Sequence, residues 1–596
     1  MITAVVTAIA ITQREARRQQ AEKEAEAAAA AKKSVLVVGG GISGLLVGLF
    51  CRQQGFAVTV ADRKGAGEFL EGDWGEGVVW VPRSAGRVLR GVHERMGAEM
   101  RERACGVDTL RYRKHRSGRE VCASKLRDTL LFAASDFHAL LRDFTTAELK
   151  LETEIVAYRD GAEDLDGPLP QGRPYALTNK GEKIYADCIV VCDGDEGQGR
   201  AHVLASQGIT ELPEIDTQWN QSTGSILAEG LLGNDKAAAL LQGGDAADMW
   251  VGPDAYVFTL VVGDGEEVIF LSHDLDAENE GELELSDLLA GWNPALSSPL
   301  TTPSPDTLIT SKRLTIRQKP PSLVSRKSRK LLLFGKNCFT FPPHSPHLEW
   351  CYHVEAAATL AVCLRKAASV PLGLEVYSRL TALRWKEAME MAQERFNTVT
   401  AAAAEAELEA ADLLWEVEPG DGEKGAWWEY DAEAVAEKNF DAVIELLTQE
   451  LLGKQRAMAE EQARAVEEER KRMEGEQKKA EEGLSEEPEE GESEEGVVEE
   501  KNIGENRNAG LGTKEEDEKK KEAEQVEAAP KTTHGNPPEN EANAGEGMLL
   551  ADEDEDEDGG IPVEEVVCSK PKDSERTGDS AARTRTEVEV RNGAKH

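Results

Sequence analysis

Six consecutive residues near the start of the chain, Gly39-Gly40-Gly41-Ile42-Ser43-Gly44, fit the pattern G-x-G-x-x-G. Glycines at that spacing suit one task, the holding of a pyrophosphate. Gly39 permits a tight turn, Gly41 lets the backbone approach the phosphates, and Gly44 allows a helix to pack closely on a strand. The helix that opens at Ile42 and Ser43 offers free N–H groups and the positive end of its dipole to the same anion. Asp62 follows 23 residues after Gly39, with Arg63 beside it. At the exposed end of a second strand, the Asp62 carboxylate is placed to accept hydrogen bonds from adenosine ribose hydroxyls. An acid there, in place of an arginine, favours an unphosphorylated ribose, as in FAD or NAD.

These residues need a frame, and the neighbouring sequence supplies one. Ser34-Val35-Leu36-Val37-Val38, apolar and bounded by glycine, reads as a buried parallel strand. A helix from Leu45 to Gln54 ends at Gly55, and a strand from Ala57 to Ala61 delivers Asp62. Further on, Ala255–Val262 and Glu267–Ser272 flank Gly263-Asp264-Gly265, a hairpin signal within a strand-rich stretch.

At 596 residues the chain is long enough for roughly two or three cores. Acidic residues number 112 and basic ones 69, a net charge of −43, which argues against binding nucleic acid or anionic lipid. From Gly453 to His596 there are 43 acidic and 22 basic residues, and no aromatic residue follows Phe440. An acidic, low-complexity tail is therefore expected over 453–596. Within it, 454–482 reads as a solvated single helix, and the run Asp552–Asp558 as a solubilising segment or a docking site for a basic protein partner. Residues 1–32 read as a disordered or helical leader. No stretch reaches the roughly 18–20 apolar residues of a membrane span. The nine cysteines, without a CxxC pair, suit a reducing, cytoplasmic setting.

Other site chemistry finds less support. His344, His347, Cys351 and His353 have ligand side chains, but Pro346 interrupts them and their spacing matches no helix-face motif, so no metal is expected. No G-x-S-x-G elbow exists for a nucleophilic serine, and no catalytic base can be named.

Several longer segments carry a resemblance. GVVWVPRSAGRVLRGVHERMG at 77–97 and YADCIVVCDGDEGQGR at 185–200, with Asp193-Gly194 and Arg200, occur in the order of the flavin aromatic hydroxylases. So do LLLFGKNCFTFPP at 331–343, with Gly335, Met249-Trp250-Val251-Gly252-Pro253, and the late Trp427-Trp428-Glu429-Tyr430. The chain thus resembles FAD-dependent, salicylate-hydroxylase-like monooxygenases over 33–440. The resemblance implies an α/β fold: a Rossmann-like FAD-binding domain (33–200 and 326–452), an inserted, mainly antiparallel sheet domain on the substrate side (201–325), and a helical C-terminal part. It implies FAD as cofactor, NAD(P)H as reductant and a small aromatic substrate. Gly39, Gly41, Ile42, Ser43, Gly44, Asp62 and Arg63 would serve the ADP half, and Asp193 and Gly335 the flavin half.

The chain departs from the family at three places. Ala134 stands where the family carries an arginine, and Lys336 where it carries an aspartate that accepts from the flavin polyol. His344-Ser345-Pro346-His347-Leu348-Glu349 replaces a glycine-rich turn, with bulky side chains where the flavin ring would lie. These changes motivate a second reading, a catalytically silent relative acting as a binding protein.

Overall fold

The computed structural model describes residues 33–482, apart from 72–76, 127, 162–171, 195–196, 232–234, 237, 242–243, 277–284, 302–308 and 415–426. The leader 1–32 and the acidic run Asp552–Asp558 lie outside the described residues.

Strand Ser34–Val38 is apolar on both faces and can be satisfied only at the centre of a covered sheet. It lies there, in a five-stranded parallel sheet ordered Leu331–Leu333, Cys188–Val191, Ser34–Val38, Ala57–Ala61, Glu148–Lys150. Helix Ile42–Gln53 packs on this sheet, and helix Pro346–Lys366 packs on that helix. Helix Pro346–Lys366 is buried almost all round, which explains its run of Ala, Val and Leu between the polar ends. Sequence distance and spatial order disagree strongly: one neighbour of Cys188–Val191 is a strand some 140 residues later. Parallel strands need long crossovers, and here the crossovers carry the other sheets.

The largest of these has seven strands: Ile309–Arg317, Glu214–Leu227, Glu267–Leu275, Ala255–Val262, Ala246–Val251, Thr109–Lys114 and Glu120–Lys125. All its pairs are antiparallel except Thr109–Lys114 with Ala246–Val251. The inserted sheet therefore draws two strands from the stretch before residue 200, which the sequence placed wholly in the nucleotide part. The expected hairpin closes with Val262 opposite Glu267, and Gly263, Asp264 and Gly265 take φ values of 66°, 59° and 93°. Two glycines meet that left-handed requirement without strain.

The helical C-terminal part is fastened by one buried ion pair. Helix Val370–Ala404 lies against Pro346–Lys366, and Arg384 reaches Glu355 with Nε to Oε2 at 2.8 Å and Nη2 to Oε1 at 2.9 Å. Both side chains are at most 5% exposed. The guanidinium also donates to the Trp427 carbonyl at 3.0 Å and lies 3.5 Å from the Trp427 ring centroid. Cys351 Sγ donates to Glu355 Oε1 at 3.2 Å.

Contacts divide the chain into a body ending at Leu451 and a second unit from Leu452. In the second unit the described residues form the end of helix Ala432–Glu482, exposed almost throughout and laced by pairs such as Arg470–Glu474 and Arg472–Glu476. That is the solvated single helix expected from its charges. No helix among the described residues is long and apolar enough to cross a membrane.

Replacing Arg384 alone strands a carboxylate in the core. Arg384→Met is expected to lower stability by about 3–5 kcal/mol in chemical denaturation, whereas Arg384→Met with Glu355→Met recovers most of the loss. Equal losses in the single and double variants would show that packing, and not charge, holds this joint.

Candidate active site

The glycine turn is built by close approach. Gly39 has φ +99°, and a Cβ there would lie 2.2 Å from the Cys192 carbonyl oxygen; a Cβ on Gly44 would lie 1.9 Å from that of Gly39. Neither position tolerates a side chain. Gly41 caps helix Ile42–Gln53 without any side-chain oxygen. No capping group therefore competes with a ligand for the first-turn N–H groups at Ile42 and Ser43.

Asp62 is not exposed, as its place at the strand end suggested, but 8% exposed. Its Oδ2 accepts from Gly40 N at 2.6 Å and its Oδ1 from Lys64 N at 2.8 Å. The carboxylate thus shapes the turn, and each oxygen retains capacity for a second hydrogen bond. Arg63, next in sequence, is exposed. Two residues that the sequence did not single out complete the turn. Phe69 packs against Gly40, and His138 Nε2 donates to the Gly40 carbonyl at 2.9 Å.

The flavin-half residues converge on the same place. Asp193 accepts from Tyr158 Oη and Gly199 N, both at 3.0 Å, and from Asn337 Nδ2. Burial pushes its carboxyl above the usual range against these bonds. Arg200 donates to the carbonyls of Asn337 and Cys338 at 2.8 Å and of Gln318 at 2.7 Å. Asp193 and Arg200 therefore grip the turn that begins at Gly335. Gly335 has φ +73°, and a Cβ on it would lie 2.8 Å from Ser43 Oγ. In this way Gly39, Ser43, Gly44, Asp193 and Gly335 come together, although they span some 300 residues of sequence. Asp193 positions this turn through protein donors.

Beyond Gly335 lies a cavity of about 240 Å³ between the seven-stranded sheet and the loop after Pro342. Trp80, Tyr256, Phe258 and Leu271 form one wall, Pro343 and Trp350 the other. Bulky side chains of the 344–349 loop were expected here; His344, Ser345, Pro346 and Glu349 do line the cavity, and this open volume remains beside them. His344 is 3% exposed and is held in the cavity wall: its ring runs parallel to Phe396 at 5.9 Å, and Nδ1 is hydrogen-bonded to Tyr256 Oη at 2.6 Å. Arg395 Nε donates to its carbonyl at 2.8 Å. These contacts hold a histidine at φ +74°, a conformation that costs about 1–2 kcal/mol outside glycine. His273 stacks on Tyr256 at 4.7 Å. The sequence signal around Tyr256 and Phe258 was the apolar strand of a hairpin; nothing in it linked them to His344.

The four candidate metal side chains go separate ways. His344 meets Tyr256, His347 stacks on Trp428, Cys351 bonds Ser84 and Glu355, and His353 lies among Phe334, Phe341 and Trp350. Among the described residues no group of three or more His, Cys, Asp or Glu is placed to hold a metal ion.

A flavin dinucleotide fits what is present. The glycine turn forms a phosphate cradle, and the aromatic cavity is suited to a flat ring. Between them Asn337 Oδ1, Ser345 Oγ and Glu349 Oε1 are enclosed without a hydrogen-bond partner. Such atoms cost about 1–3 kcal/mol each when left unsatisfied, so they favour a polar ligand. Ala134, buried at the start of helix Ala134–Phe144, offers no side-chain donor, and Lys336 Nζ lies 3.9 Å from Glu349 Oε1.

No protein-family model matches the chain. It is similar to the FAD-dependent monooxygenase notI' of Aspergillus versicolor, 26% identical over 363 residues that cover 58% of this chain and 79% of that protein. Among solved structures it is similar to CtdE in complex with FAD and a substrate, with TM-score 0.57 and 19% identity over 70% of this chain and all of that one. A salicylate hydroxylase substrate complex matches with TM-score 0.52 and 20% identity over 68% of this chain and 97% of that one.

Burial makes this region sensitive to acid. It lowers the imidazole pKa to about 3 at His273 and His347, and to about 4 at His138 and His353. Between pH 6.5 and 4 the unfolded chain binds protons that the folded one refuses. Stability is therefore full above pH 6.5 and falls as pH drops towards 4, by up to about 1.4 kcal/mol per pH unit for each histidine. Thermal midpoints should fall over that window, and less steeply in His138→Gln; a midpoint flat from pH 7 to 4.5 would contradict the burial of these rings as neutral groups.

Proposed function

We infer that this chain is an FAD-dependent monooxygenase that draws electrons from NAD(P)H to hydroxylate a neutral aromatic small molecule. The observation that carries this reading is the contact of Gly335 with Ser43, which joins a phosphate cradle to an aromatic cavity. Bound FAD supplies the redox chemistry, accepting a hydride and activating molecular oxygen.

The protein's own residues bind, orient and exclude water. Gly39, Gly41, Ile42, Ser43 and Gly44 would receive the pyrophosphate, with Asp62 and Arg63 at the adenosine ribose. Asp193 and Gly335 would set the backbone beside the flavin half. We take the flavin-binding part as 33–200 and 326–452, and the substrate side as 201–325 with strands Thr109–Lys114 and Glu120–Lys125 added. Trp80, Tyr256 and Phe258 offer flat, dry surface to an aromatic substrate.

Charge supports a neutral substrate. At the cavity Arg313 is paired with Asp216 and Asp276, Arg317 with Glu214 and Lys336 with Glu349, while Lys312 is exposed at the mouth. His273 and His344 are held neutral by burial. Among the described residues, a carboxylate inside would find Arg313, Arg317 and Lys336 already paired, with Lys312 at the mouth as the remaining cation. The eight free thiols among the described residues support a reducing location, and we place the activity in the cytoplasm. For the acidic tail we propose a solubilising role, with a basic protein as its candidate partner.

The full chain should purify yellow, and NADH or NADPH should bleach it under anaerobic conditions. In air, neutral fused aromatics should stimulate NAD(P)H oxidation more than aromatic carboxylates of similar size. Colourless protein that added FAD cannot colour would overturn the enzyme reading in favour of the silent relative; preference for the carboxylates would overturn the substrate class alone.

A further inference from the structure

FAD has a pyrophosphate towards one end and a flat ring at the other, joined by a hydroxylated carbon chain. With the phosphates on the glycine turn and the ring in the cavity, that chain must cross the ground between. Gly335 touches Ser43 of the turn, and Lys336, Ser345 and Glu349 line the cavity. The polyol hydroxyls need acceptors there, and an ammonium at Lys336 can only donate.

The first turn of helix Pro346–Lys366 presents the missing acceptors. Ser345 occupies its N-cap, where a serine oxygen normally accepts from a first-turn N–H. Here it makes no capping bond. Its Oγ is enclosed without a partner in a residue only 2% exposed. Glu349 follows four residues later on the same helix face. Its Oε1 is enclosed and accepts no hydrogen bond, and Lys336 Nζ at 3.9 Å is an ion partner beyond hydrogen-bond reach. His353 continues the row with both ring nitrogens unpartnered and 1% exposure. Three polar side chains on one stripe of a buried helix, each unsatisfied, point to a polar ligand along that stripe.

We propose that Glu349 and Ser345 form the subsite for the polyol chain of the flavin dinucleotide, with Lys336 holding the Glu349 carboxylate in place. This rests on the FAD reading above. The acid that receives the hydroxyls has moved from the turn at residue 336 to the facing helix, and the charge at 336 has reversed to accompany it. Lys336 and the replaced glycine-rich turn are then parts of one rearranged site.

The test is to titrate the full chain, freed of flavin, with FAD by fluorescence quenching and with ADP, which lacks the polyol, by calorimetry. Glu349→Ala should weaken FAD binding about 10–100-fold while leaving ADP affinity unchanged. Ser345→Ala should weaken FAD by about 2–10-fold. Glu349→Gln, which retains an acceptor oxygen and the side-chain shape, should lose less than Glu349→Ala and guards against a folding defect in the latter. FAD affinity unchanged in Glu349→Ala would overturn the subsite and leave the FAD reading standing. A parallel loss of FAD and ADP in both Glu349 variants would also overturn it, because the residue would then act through the fold. If the unaltered chain binds ADP but no FAD, the subsite and the FAD reading fall together.

Discussion

The turn from Gly335 to Cys338 has to lie against Ser43, and whatever this chain does with a flavin depends on that contact. A side chain at 335 would meet Ser43 within 3 Å, so the approach requires glycine. It also requires force from outside, because Ser43 follows strand Ser34–Val38 and Gly335 follows strand Leu331–Leu333, and these two strands are not neighbours. Asp193, just beyond strand Cys188–Val191 that lies between them, takes Asn337 by its amide, and Arg200 takes the carbonyls of Asn337 and Cys338. Tyr158 and Gly199 in turn fix Asp193. A half-buried carboxylate with this many donors is a joint, and it converts the order of three parallel strands into one continuous surface for a long ligand.

The rest of the architecture serves that surface. The seven-stranded sheet closes its far end with aromatic side chains, and the buried pair of Arg384 with Glu355 secures helix Pro346–Lys366, whose first turn closes the near side. The unusual backbone of His344 belongs to the same arrangement. A histidine at positive φ is tolerated because Tyr256, Phe396 and Arg395 hold its ring and its carbonyl. Its ring is thereby parked in the wall, and the cavity beside it stays open.

Much of the nucleotide half was legible in the sequence because its constraints are local. Val35 to Val38, the glycine string and Asp62 lie within 28 residues, and each signals through its own backbone need or apolar run. The family resemblance extended this to the inserted sheet and to Asp193 and Gly335. What could not be read was pairing across distance. That Thr109–Lys114 joins the inserted sheet, that Asp62 faces Gly40 instead of solvent, and that His344 turns towards Tyr256 are outcomes of packing, which no short window contains. Lys336 illustrates the point best. Read alone it is a lost acceptor; beside Glu349 it is half of an ion pair.

One dinucleotide running from the glycine turn past Gly335 into the aromatic cavity is the central claim, and a crystal structure of the full chain grown with FAD tests it most directly. The expected result is continuous ligand density, with the pyrophosphate at Gly41–Gly44 and the flavin ring between Trp80, Tyr256 and Pro343. Density for the ADP end alone, with the cavity closed by His344 or Trp350, would contradict it.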